Sequence, residues 1–144
     1  MQGRGGVIVA MTQEEIDALL SEPRVSVFGS VTPDGRPALS PVWHLWRDGA
    51  AFVLVDRDSR KWRNAQANPN VSLCVDTKEA PYRAAIIEGT AEELEGDYVG
   101  LLREAAVHYL GEQAGNRYAE RSTATPETSV IVRIVPRRII SWAY

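Results

Sequence analysis

The sequence predicts a mainly β protein: a small β-barrel with short helices. Three observations predict it. Six or seven short segments alternate apolar and polar residues or are rich in β-branched side chains. Turn signals, Pro-Asp-Gly at 33–35 and Asp-Gly at 48–49, join the first segments directly, which makes the sheet mainly antiparallel. Strands in this number, in a chain of 144 residues, close into a barrel that leaves no long exposed edge.

The elements follow in order. Thr12 with Glu15 is a capping-box pattern, and Ile16, Leu19 and Leu20 repeat at helical spacing. A short amphipathic helix is expected over 12–21, ended by Pro23. Residues 24–32, 36–47 and 50–56 read as three strands of a meander. Pro37 and Pro41 lack ladder donors, so the second strand needs an edge, a bulge or an irregular start. Asp58 and Ser59 can cap a helix over about 59–67, which Asn-Pro-Asn at 68–70 stops. Residues 71–77 and 84–94 return to strand character around a polar loop at 78–83. Tyr98, Leu101, Leu102, Ala105 and Tyr109 form one stripe of a helix over 97–110. The stretch 111–127 is polar and mixed, with a short helix near 116–121. Two last strands, 129–135 and 138–142, are expected on either side of Pro136. Residues 1–11 read as a tail, with Met11 a second possible start, and 12–144 as one domain.

Several strands are apolar on both faces. In 36–47, Ala38, Val42 and Trp46 share one face and Leu39, Trp43 and Leu45 the other. One face fills the barrel. The other calls for a helix or a second subunit, and a homodimer is expected.

Composition narrows the function. A net charge of -3 weighs against a broad nucleic-acid surface. No apolar run approaches the ~20 residues of a membrane span. The single cysteine allows no internal disulfide, which suits a reducing, cytoplasmic setting. Cys74 reads as a small core hydrophobe, and His44 and His108 as structural side chains. Asp56 and Asp58 stand two apart without the further carboxylates a metal needs. The four tryptophans are core by default, although one could line a ring-shaped ligand.

One segment stands out. Residues 57–63, Arg-Asp-Ser-Arg-Lys-Trp-Arg, place four cations at the expected start of a helix. Two readings stay open. A charge run is commonly a solvated face. Yet cations oppose the dipole at a helix N-terminus, and that terminus favours an anion. Ser59, Arg60 and Lys61 could hold a phosphate there.

The order of elements then resembles the pyridoxamine-phosphate-oxidase-like flavin and deazaflavin family. The segments that carry the resemblance are TPDGRPALSPVWHLW (32–46), AAFVLVDRDSRKWRNAQANPNVSLCVD (50–76), IIEGTAEEL (86–94) and RIVPRRIISW (133–142). The family fold is a dimeric split β-barrel of the FMN-binding-protein type. SPVWHLW with SRKWRN looks most like reductases dependent on coenzyme F420, a deazaflavin. The resemblance implies that Arg57, Ser59, Arg60, Lys61 and Asn64 surround the anionic part of the cofactor. It implies that Pro41, Val42 and Trp43 lie along the ring, and that Tyr82 reaches the site from the second subunit. The implied reaction is hydride transfer from reduced F420 to a small unsaturated acceptor. The alternatives are an FMN enzyme of the same fold and a non-catalytic flavin, deazaflavin or haem binder. No catalytic residue is singled out. Water, Lys61, His44 and Tyr82 are the candidate proton donors, and 78–83 and 111–127 the loops expected to meet substrate.

Overall fold

The computed structural model describes residues 9–144. The elements are α1 (Gln13–Ser21), β1 (Ser26–Val31), β2 (Pro37–Val42), β3 (Leu45–Arg47), β4 (Ala50–Asp56), α2 (Arg60–Ala67), β5 (Asn70–Asp76), β6 (Arg83–Leu94), α3 (Tyr98–Leu110), α4 (Glu112–Arg121) and β7 (Ser129–Ala143). All seven strands pair antiparallel in one sheet, ordered β2-β1-β5-β6-β7-β4-β3. Its two end strands are consecutive in the chain and joined by only Trp43 and His44. Two residues span roughly 10 Å at most, so the sheet curls until its ends meet at this corner. The mainly β split barrel is thus the observed architecture.

The helices form where local chemistry places them. Thr12 accepts from the Glu15 backbone N–H at 3.2 Å, while the Glu15 carboxylate accepts from the Thr12 N–H at 2.8 Å. This reciprocal cap starts α1, whose Ile16, Leu19 and Leu20 enter the barrel interior. The interior is filled by alternate residues of the strands, among them Phe28, Val53, Leu73, Ile87 and Val132. From the other side α2 contributes Trp62 and Ala65. A second, smaller cluster lies outside the barrel. There Tyr98, Leu101 and Leu102 of α3 cover Phe52, Leu54 and Ile131 on the outer face of β4 and β7. Asp97 caps α3 by accepting from the Gly100 N–H at 3.0 Å.

Several sequence expectations are corrected. The strand expected over 36–47 breaks at Trp43-His44 into β2 and β3, so no three-strand meander forms. Pro37 and Pro41 fit because β2 ends the sheet and needs no outer partner. The two strands expected around Pro136 are one strand, β7. Its register against β6 shifts between Glu88 and Gly89, opposite Pro136, so a bulge absorbs the missing donor. The stretch 111–127 holds a longer helix than expected, α4, whose Gly115 lies against the α3 backbone at Val107. Ser59 alone caps α2, not Asp58. Cys74 is not in the core: it lies half-buried on the outer face of β5. Residues 1–8 of the expected tail lie outside the described residues. Val9 bridges to Ala143, and Met11 is buried in the core.

The bulge carries a prediction. A Cβ at Gly89 would collide with the Val135 carbonyl, standing 2.9 Å from its carbon. Neither backbone can yield without breaking the β6–β7 register. Gly89→Ala is expected to destabilise the fold by about 1–3 kcal/mol, read as a lower midpoint in urea. An unchanged midpoint would show that the strands separate freely there.

Candidate functional site

The four cations of 57–63 divide by their partners. Arg57 pairs with Glu93, its Nη2 2.8 Å from Oε2, and also donates to the Ser129 carbonyl. The Arg63 guanidinium donates to the Asp58 carbonyl. Arg60 and Lys61 meet no carboxylate among the described residues. Lys61 Nζ donates only to Ser40 Oγ, at 3.2 Å. Ser59 spends its hydroxyl on the fold: Oγ donates to the Asp56 carbonyl at 2.7 Å and accepts from the Trp62 N–H at 3.3 Å. That cap leaves the first backbone N–H groups of α2 without intrahelical acceptors, beside the two unpaired cations. Asn64 is buried and donates to Ser30 Oγ at 3.2 Å, tying α2 to β1.

Two cavities meet at Lys61. The smaller, about 210 Å³, is lined by Arg60, Lys61, Asn64 and Ser40 with Leu39 of β2. The larger, about 560 Å³, runs from Lys61 along Pro41, Val42 and Trp43. Its far wall is apolar: Phe52 and Leu54 of β4 with Leu101, Leu102 and Ala105 of α3. The arrangement offers cations at one end of a slot and aromatic and aliphatic surface along it. It suits a ligand with a ring and an anionic arm.

The structure thus gathers Pro41, Val42, Trp43, Arg60, Lys61 and Asn64 around adjoining cavities. Arg57 and Ser59 stand nearby with their polar groups engaged. Tyr82 lines neither cavity. It is exposed beside Tyr144, ring centroids 5.9 Å apart, at the start of β6. Its loop is braced by an ion network in which Arg83 and Arg24 both grip Glu22, and Arg24 also reaches Glu79. Arg83 holds the Glu22 carboxyl below the usual glutamate range.

Of the α3–α4 side, the sequence marked 111–127 as a loop expected to meet substrate, but it did not show that α3 would support Trp43. Trp43 stacks on Tyr109, centroids 5.0 Å apart and planes within 10°, and leans on Tyr118 at 5.2 Å. The stripe on 97–110 signalled burial, but nothing in it said that the partner would be the cavity wall.

His44 fixes this corner, as a structural side chain. It is buried, and Nε2 donates to the Leu20 carbonyl at 2.8 Å. Nδ1 then accepts, with Ser26 Oγ 2.9 Å away. Tyr109 accepts from the His44 N–H at 3.0 Å and donates to the Arg24 carbonyl at 2.9 Å. Burial pushes the His44 pKa down. The unfolded chain therefore binds this proton more readily, and stability present above the ordinary value of about 6.5 is lost as pH falls below it. Urea midpoints at about pH 7.5 and 5.5 test this. Wild type is expected to weaken at the lower pH, and His44→Gln to weaken less between the two. Equal slopes would remove His44 as the cause.

A sequence profile of the pyridoxamine 5'-phosphate oxidase family matches residues 12–143, nearly the whole described chain. The chain belongs to this family. Among its relatives is a pyridoxine/pyridoxamine 5'-phosphate oxidase of Bacteroides thetaiotaomicron, 37% identical over 83 residues. That match covers 57% of this chain and 38% of the relative's length. A solved structure of an F420 reductase superposes with a TM-score of 0.64 at 25% identity, covering 85% of this chain and 94% of its own. A conserved hypothetical protein of Mycobacterium tuberculosis superposes with a TM-score of 0.75 at 26% identity, covering 99% and 90%. The family is one of oxidoreductases, and membership agrees with the curled sheet. No described helix is long and apolar enough to cross a membrane.

Proposed function

We propose that the protein is an F420-dependent oxidoreductase, working in the cytoplasm, that brings reduced F420 against a small unsaturated acceptor. The observation that carries the reading is the shared edge of the two cavities. Lys61 stands where an anionic arm would leave a ring lying along Pro41, Val42 and Trp43. The donor set fits such a group: two unpaired cations and free helix N–H groups for the arm, an apolar slot for the ring. When bound, the deazaflavin supplies the hydride. The chain orients the ring between Trp43 and the β4 wall and excludes water with α3. Both His44 ring nitrogens are engaged inside the protein, which leaves the Lys61 ammonium or water to supply a proton at the cavity.

The subunit interface belongs to the same reading. Pro41, Val27, Cys74, Ile86 and Ile140 are cross-strand partners in one row over five strands, facing away from the interior. Leu39 beside them is 75% exposed. The helices are placed elsewhere: α1 and α2 against the interior, α3 over β4 and the first half of β7. A second copy of the chain covers this face and brings its Tyr82, at the rim, toward the cavity.

A second reading, an FMN enzyme of the same fold, is favoured by one fact. Only two of the four cations are unpaired, and a single terminal phosphate needs no more. Titration of the purified protein with F420 and with FMN, followed by ligand fluorescence, separates them. Preferential F420 binding supports the reductase, preferential FMN binding moves the protein to the flavin reading, and binding of neither overturns the site. Turnover of bound reduced cofactor in a screen of acceptors separates an enzyme from a carrier.

A further inference from the structure

A third cavity, about 480 Å³, opens beside the main one and shares Tyr118, Ser122 and Thr123 with it. Its walls carry Arg117 and Arg121 of α4. The two arginines are four residues apart on one helix, so they face the same side and repel each other. Neither makes a salt bridge or a side-chain hydrogen bond among the described residues. Arg103, by contrast, donates to Asn116 at 2.6 Å, and Arg47 pairs with Glu104. The position of Arg121 in the last turn of α4 complements the helix dipole, but that of Arg117 does not. A pair of cations without a salt-bridge partner among the described residues, in a chain of net charge -3, lines a cavity that adjoins the slot of Trp43 through Tyr118, Ser122 and Thr123.

We propose that Arg117 and Arg121 form a second anion subsite, which holds a carboxylate-type group on the acceptor. The inference rests on the reading above, in which Arg60 and Lys61 take the cofactor's anionic arm. The acceptor is then an amphipathic molecule: a flat apolar body along the Tyr118 wall and an acidic side arm in the α4 cavity. Two arginines on adjacent turns match a pair of carboxylate oxygens, or two acidic arms on one body. The same chemistry could come from a tail on the cofactor itself, and the experiment distinguishes the two sources.

The variant is Arg117→Gln with Arg121→Gln, both exposed and both changed to a good helix former. Two probes share one ring system: 1-anilinonaphthalene-8-sulfonate, which is anionic, and N-phenyl-1-naphthylamine, which lacks the sulfonate. The variant is expected to lose about tenfold in affinity for the sulfonate and to keep its affinity for the neutral probe. F420 and FMN are expected to bind it as they bind wild type. Equal losses for both probes, or no loss for the sulfonate, would overturn the subsite. Loss of F420 affinity with FMN affinity kept would overturn the acceptor assignment and give the subsite to the cofactor's tail. Failure of wild type to bind either cofactor would overturn the underlying reading, and the two naphthalene probes report on the subsite regardless.

Discussion

Lys61→Ala is expected to weaken F420 binding by roughly 10–100-fold, the worth of one or two charge-assisted hydrogen bonds to an anion. Lys61 is the only side chain of 57–63 common to the two adjoining cavities. Its one partner, Ser40, is a neutral hydroxyl, so its charge is available to a ligand. The same change at Arg57, whose charge is met by Glu93 on the surface, is expected to cost less than about threefold. Fluorescence titration of both variants checks the contrast. Equal losses would mean that the whole basic segment acts as a diffuse field. An unchanged affinity in Lys61→Ala would remove the anion site from this end of the cavity.

Ile86→Asp is expected to convert the proposed dimer into monomers and to abolish cofactor binding with it. Ile86 lies mid-row on the outer face, with Cys74 on one side and Ile140 on the other. A carboxylate there would be desolvated on association without a partner, enough to raise the dimer dissociation constant by about 100-fold or more. The side chain points away from the interior, so the barrel itself should persist, and its circular dichroism should match wild type. Sedimentation of wild type and variant gives the answer. A monomeric wild type would leave the row uncovered and Tyr82 without a role in the site. A dimeric variant that still binds cofactor would place the interface on another face.

These expectations stand on two kinds of information. The α1 capping box, the β4 boundaries and the Ser59 cap of α2 are set by residues within a few positions of one another. Period, caps and turns are local, and they read directly from the chain. The same holds for the chemistry at the start of α2, because charge density at a helix N-terminus is a property of adjacent residues. The resemblance to a split-barrel family rested on such local segments and their order, and the family profile over residues 12–143 shows the membership.

The tertiary structure decided what depends on distant partners. Trp43-His44 breaks a strand because β2 must pair with β1 and β3 with β4, at opposite ends of the sheet. Pro136 breaks nothing because β7 bulges there, with Arg137 left unpaired between the partners of Glu88 and Gly89. Arg57 pairs its charge with Glu93, thirty-six residues away, and so differs from Lys61, four positions off, which meets no carboxylate among the described residues. The stripe on α3 announced burial, but only packing made Tyr109 the support of Trp43 and opened a slot between α3 and the sheet. Pairing energies of this kind depend on which surfaces meet, and no single segment encodes its partner. The sequence by itself determined the kinds of elements and the charge that waits at one of them. The curl of the sheet determined which of those charges stayed free and what wall they faced.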